Sequence, residues 1–144
     1  MFTHRIFLTQ TDTTIGFVSQ DANRLNAIKQ RPANKHYIKA VNSLKTLKTF
    51  TRIPQKYKKK VRRAKKTTFI MPNKHSYRVI YDKHHLLLLN RLKWVYTTSA
   101  NLSGMTYDEN FAKHVADIII EPLKKNTKAS KIYQLSKTNC KRIR

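Results

Sequence analysis

Apolar and polar positions along this chain change period several times, and each change marks an expected element. "RIFLT" (5–9) is a short β-rich run, and "QTDTTIG" (10–16) interrupts it with small polar residues that read as a loop. "DANRLNAIKQRP" (21–32) predicts a helix: Asp21 can cap its start, Leu25 and Ile28 share a face, and Pro32 stops it. "HYIKAV" (36–41) alternates like a strand. "NSLKTLKTF" (42–50) places Leu44, Leu47 and Phe50 at helical spacing. "IPQKYKKKVRRAKK" (53–66) predicts another helix with Pro54 in its first turn, where a missing N–H costs nothing. Tyr57, Val61 and Ala64 form its apolar stripe.

"TTFIM" (67–71) and "SYRVIY" (76–81) are β-rich and four residues apart, which predicts a hairpin. "DKHHLLLLNRL" (82–92) predicts a buried helix, with His84 and His85 expected at the surface where it opens. "KWVYTT" (93–98) reads as a strand. "TYDENFAKHVAD" (106–117) reads as a helix, with Asp108 and Glu109 suited to its N-terminal dipole. "III" (118–120) and "SKIYQL" (130–135) are further strands, and "CKRIR" (140–144) is assigned no element. Strands alternate with helices around one antiparallel hairpin, so the expected fold is a single α/β domain over 1–144 with a mixed sheet.

Composition narrows the chemistry. The 144 residues are 40% hydrophobic, enough for one real core, yet 31 Lys and Arg face only 7 Asp and Glu, a formal charge of +24. That field attracts polyanions: nucleotides, nucleic acid or an anionic membrane surface. One cysteine, Cys140, leaves no intramolecular disulfide and no cysteine-rich zinc site. The first residues lack a signal-peptide run, and Leu86–Leu89 is too short to span a bilayer, so a cytoplasmic protein without membrane insertion is expected.

Three segments carry candidate chemistry. "KYKKKVRRAKK" (56–66) holds eight Lys or Arg in eleven residues. It is either a solvated helix pinned by its apolar stripe or a phosphate-backbone contact for RNA through Lys58, Lys59, Lys60, Arg62 and Arg63. In "AIKQRP" (27–32), Lys29 and Arg31 can converge on one anion where the helix turns into a loop. "TTSANLSG" (97–104) follows a strand, as ligand loops do in α/β sheets, and contains one of the chain's two glycines. It is either a plain loop with a capping Ser or a phosphate- or ribose-binding turn.

Taken in order, "QTDTTIG", "KQRP" (29–32), "TFIM" (68–71) leading to "YRV" (77–79), and "TSANLSG" (98–104) resemble the YrdC family, the threonylcarbamoyl-AMP synthases. "ASKIYQL" (129–135) and Arg144 fit the family's tail. Gln10, Ile15 and Ile80 stand where the family has Pro, Tyr and Pro. The resemblance implies a YrdC-like twisted mixed sheet with flanking helices and a basic cleft. It implies that L-threonine, bicarbonate and ATP with Mg²⁺ give threonylcarbamoyl-AMP and pyrophosphate. A separate transferase system then passes the group to an adenosine of tRNA. By matching position, Lys29, Arg31, Ser99, Asn101 and Arg144 would hold ATP. Arg78 would take the threonine carboxylate, and Thr11, Thr13 and Ser130 would position the amino acid. No structural metal is expected. The alternative is a non-catalytic relative that binds tRNA or double-stranded RNA through residues 58–63.

Overall fold

The computed structural model describes residues 2–32, 35–124 and 128–144. In chain order the elements are β1 (Phe7–Gln10), β2 (Ile15–Ser19), α1 (Ala22–Lys29), β3 (Ile38–Val41), α2 (Leu44–Phe50), a 3₁₀ turn (Gln55–Tyr57), α3 (Lys58–Arg63), β4 (Thr67–Ile70), β5 (Ser76–Val79), α4 (Lys83–Leu92), β6 (Trp94–Ser99), α5 (Glu109–Val115), β7 (Ile118–Ile120), β8 (Lys131–Leu135) and β9 (Cys140–Arg142). The described strands form one mixed sheet in the order β7-β1-β2-β6-β3-β5-β4-β8-β9. The pairs β1–β7, β3–β5 and β4–β8 are parallel, and the others antiparallel.

Register decides which residues share a face. Lys39, Tyr77 and Tyr96 are cross-strand partners, as are Val41 and Val79, and Val41 and Trp94. On that face α2 and α3 cover Val41, Phe69, Tyr77 and Leu135, while α1, through Leu25, and α5 cover Leu8 and Phe17. The opposite face presents Ala40, Arg78 and Val95 in register. There α4 covers Phe7, Val18, Ala40 and Val95.

The helices begin where the side chains can cap them. Asp21 accepts from Arg24 N, Ser43 from Thr46 N, Asp82 from His85 N, and Asp108 from Asn110 N and Phe111 N. Each satisfies an amide that the helix itself leaves without a partner. Val61 is buried, and Tyr57 and Ala64 pack beside it, so the predicted stripe does pin α3.

Four readings of the sequence change. Strand β2 takes in Ile15 and Gly16, which the loop reading of "QTDTTIG" had absorbed. The polar turn is only four residues long, and a hairpin partner overrides its composition. Residues 140–142 form β9 against β8, because pairing with Tyr133–Leu135 supplies the backbone bonds that sequence alone does not reveal. Helix α4 is buried on one face rather than all round: Leu89 is 0% exposed and Leu87 70%. His85 shares the buried face, four residues before Leu89, so only His84 is at the surface.

Candidate functional site

The polar residues singled out in the sequence gather on the α4 face, beyond the end of that helix's coverage. A cavity of about 210 Å³ is lined by Thr13, Arg31, Arg78, Ser99, Ser130 and Arg144, together with His36, Tyr37, Thr97 and Thr98. The elements that bring them are the β1–β2 turn, the end of α1, strand β5, the end of β6, and the segments entering and leaving β8 and β9.

The β1–β2 turn is built by its own hydroxyls. Thr11 Oγ1 donates to Thr14 O at 2.6 Å and accepts from Thr13 N at 3.2 Å. Thr11 lies beneath, 3.3 Å from Thr13 Oγ1, and Thr13 faces the cavity. Gly16 follows at a crowded point. A Cβ there would stand 2.9 Å from Thr98 O and 3.0 Å from Thr11 Cγ2. Glycine is what lets the turn and the end of β6 approach this closely.

Arg78 is 4% exposed, yet its guanidinium stands 3.1 Å from an Asp12 carboxylate oxygen. Nη1 also donates to Thr68 Oγ1 at 3.4 Å, and Thr68 Oγ1 is 2.8 Å from Ser130 Oγ. Arg144 completes the chain, donating from Nε to Ser130 O at 2.9 Å and from Nη2 to Ser130 Oγ at 3.3 Å. Burial pushes the Asp12 carboxyl up against the opposing pull of Arg78. Burial also lowers Arg78, with Asp12 working the other way. Arg78 Nε has no hydrogen-bond partner among the described residues.

The second half of the site is the loop after β6. Lys29 does not line the cavity: its Nζ is buried and donates to Ser99 O and Asn101 O, both at 2.7 Å. Burial, and after it the charge of Arg31, brings its pKa down to about 8. Asn101 folds the loop over itself, donating to Leu102 O and Met105 O at 2.7 Å, and its Oδ1 accepts from Ser99 Oγ. Gly104 turns the chain with φ +79°, where a side chain is strained. Arg31 stands 4.5 Å over the Tyr37 ring and donates to His36 O at 2.8 Å. Its Nε is buried without a partner among the described residues.

Three guanidinium groups, Arg31, Arg78 and Arg144, therefore meet the hydroxyls of Thr13, Ser99 and Ser130, among others, in one cavity, and Asp12 pairs with Arg78. The arrangement is suited to holding anions and orienting them. A second concavity of about 580 Å³ shares Ala129, Ser130 and Arg144 and adds Lys65, Lys66, Lys128, Lys131 and Arg142. None of Lys58, Lys59, Lys60, Arg62 or Arg63 lines either one. All five are exposed on α3, and Lys60 rests 4.1 Å over Tyr133. Among the described residues, no cluster of His, Cys, Asp or Glu could hold a metal ion, and no helix is long and apolar enough to cross a membrane.

Sequence reasoning missed Asp12 and Thr68. Asp12 had a signal: a buried arginine needs a counter-charge, and only seven acids exist, one of them between Thr11 and Thr13. Thr68 had none, because its role depends on the parallel register of β4 and β8.

The Sua5/YciO/YrdC family, described as telomere recombination, matches residues 4–144. An uncharacterized protein of Mycoplasma genitalium is 37% identical over 99 residues, 67% of this chain but 21% of that protein. P. abyssi Sua5 complexed with L-threonine is similar in structure, with a TM-score of 0.76 at 18% identity, covering 97% of this chain and 50% of that one. E. coli YciO gives a TM-score of 0.76 at 16% identity, covering 98% of this chain and 82% of its own. The chain thus spans about a fifth of the curated relative and half of the Sua5 chain.

Proposed function

This chain belongs to the Sua5/YciO/YrdC family, and from that premise we propose that it is a threonylcarbamoyl-AMP synthase serving tRNA modification. The observation that carries the reading is the convergence of Thr13, Arg31, Arg78, Ser99, Ser130 and Arg144 on one cavity. The Sua5 protein of similar fold is complexed with L-threonine, and a cavity of about 210 Å³ has room for that amino acid. Arg78 takes its carboxylate, and Thr13 and Ser130 orient its hydroxyl. Thr11 acts from beneath by fixing Thr13.

ATP enters as its Mg²⁺ complex. Its triphosphate lies along Arg31, Ser99 and Arg144, and the nucleotide extends into the adjoining basic concavity. Lys29 and Asn101 hold the loop that presents Ser99. The threonine amine combines with bicarbonate, losing water, to give a carbamate. A carbamate oxygen then attacks the α-phosphorus, and pyrophosphate departs with the electron pair of the broken P–O bond. The protein contributes orientation and compensation of phosphate charge, so no protein nucleophile is called for. A separate transferase system receives the product and passes the threonylcarbamoyl group to tRNA.

Purified protein supplied with ATP, Mg²⁺, bicarbonate and threonine should release pyrophosphate only when threonine is present. Threonine-independent release, or none beside an active reference synthase, refutes the reading. A second reading, a non-catalytic RNA-binding relative, is favoured by one observation: residues 22–81 and 122–144 contain no Asp or Glu. It requires RNA affinity that falls steeply with salt while no pyrophosphate appears.

A further inference from the structure

The sheet face opposite the cavity carries a second feature that the proposed reaction leaves unused. A groove of about 380 Å³ runs between α1 and α2. Its floor is the cross-strand trio Tyr96, Lys39 and Tyr77, one residue from each of three adjacent strands. Phe50 of α2 forms one wall, and Asn23 of α1 stands on the other.

Lys39 is the unusual member. Its Nζ lies 4.0 Å from the centre of the Phe50 ring, 4.5 Å from that of Trp94 and 5.4 Å from that of Tyr96. Ring faces stabilise the charge, but they accept none of the three N–H donors in good hydrogen-bond geometry. Among the described residues Lys39 has no carbonyl, hydroxyl or carboxylate partner, and the nearest acid on each side of it in sequence is Asp21 or Asp82. Burial lowers its pKa. A lysine kept at such a place, on a strand between two tyrosines, is arranged for a ligand that brings both a flat ring and a negative charge.

We propose that this groove binds a nucleotide unit, with its base against Tyr96 and its phosphate on Lys39. The Asn23 amide, which makes no side-chain bond among the described residues, is placed to meet a base edge. The unit can be a free mononucleotide or an unpaired residue of single-stranded RNA, since both present the same base and phosphate. Duplex RNA does not fit, because its bases are stacked on one another and unavailable to Tyr96. The inference does not depend on the synthase reading, for the groove and the cavity share only His36 and Tyr37.

Trp94 is the chain's one tryptophan, with its ring centre 5.1 Å from that of Tyr96, so its fluorescence reports on the groove. The full chain is titrated with AMP, with a 12-nucleotide single strand and with the matching duplex. The expected result is saturable quenching by AMP or by the single strand, and a loss of affinity of about tenfold in both Lys39→Gln and Asn23→Ala. Lys58→Gln, on α3 and outside the groove lining, should leave the quenching curve unchanged. Saturation by AMP assigns the groove to free nucleotides, and saturation by the single strand alone assigns it to RNA. Circular dichroism checks that each variant is folded, and Asn23→Ala, at the helix surface, carries the test should Lys39→Gln unfold. No saturable quenching by AMP or the single strand, equal quenching by the duplex, or curves unchanged in Asn23→Ala and Lys39→Gln would overturn the proposal.

Discussion

The cations of α3 and the cations around the cavity differ in everything except sign. Lys58, Lys59, Arg62 and Arg63 are crowded in sequence, exposed, and without a carboxylate partner among the described residues. Arg78 and Lys29 are far apart in sequence, buried, and each bound at fixed distances: Arg78 to Asp12 at 3.1 Å, Lys29 to two carbonyls at 2.7 Å. Water screens the first group, so it supplies a diffuse field. The second group is desolvated and fixed, so each member acts in one direction on one neighbour. The lesson is that the density of charge along a chain locates the field, while burial of charge locates the chemistry.

The largest test of this contrast removes a buried partner. Arg78→Ala leaves Asp12 buried without its counter-charge, a loss expected to cost about 3–5 kcal/mol in urea unfolding at neutral pH. Replacing both, Asp12→Asn with Arg78→Met, should recover part of that loss, because the stranded charge is gone. If Arg78→Ala unfolds at the wild-type urea concentration, the pair is not what closes the α4 face.

Next is His85, buried on α4 with neither ring nitrogen partnered among the described residues. Burial, then the charge of Arg78, lowers its pKa from 6.5 to about 4. The unfolded chain therefore takes up this proton first as pH falls. Stability from His85 is full above pH 6.5 and drains away down to about pH 4, a loss of about 3 kcal/mol. His85→Leu should flatten that part of the wild-type curve. The comparison is of the difference between the two proteins, which cancels the opposite slope from Asp12, whose carboxyl burial raises. Identical acid slopes in the two proteins would mean that His85 is already protonated or solvated.

The smallest effect belongs to α3. Lys58→Gln, Lys59→Gln and Arg63→Gln together should leave the thermal midpoint unchanged within error, since Val61 does the anchoring. Lys60 is left out because it rests on Tyr133. A clear fall in midpoint would show that these charges are structural after all.

Much of the fold was legible because local signals agreed with the tertiary outcome. Asp21, Ser43 and Asp108 cap the helices they precede, and Tyr57, Val61 and Ala64 face the core as their spacing requires. What failed was whatever depended on a partner distant in sequence. Residues 140–142 are a strand only because β8 is beside them, and His85 is buried only because α4 lies over Arg78's face. In the site, Arg31, Ser99 and Arg144 were found through ordered motifs, and the sheet brings them together. The aromatic groove was invisible for the opposite reason: Lys39, Phe50, Tyr77 and Tyr96 follow no motif and meet only through strand register.

The contrast between the cavity's cations and those of α3 is tested most directly by threonine-dependent pyrophosphate release in three proteins side by side. The account predicts that Arg31→Gln lowers kcat/KM by at least about tenfold, the loss of one charge-assisted contact. It predicts that the Lys58→Gln, Lys59→Gln, Arg63→Gln protein matches the wild type. A wild-type rate in Arg31→Gln with loss in the α3 variant would contradict it.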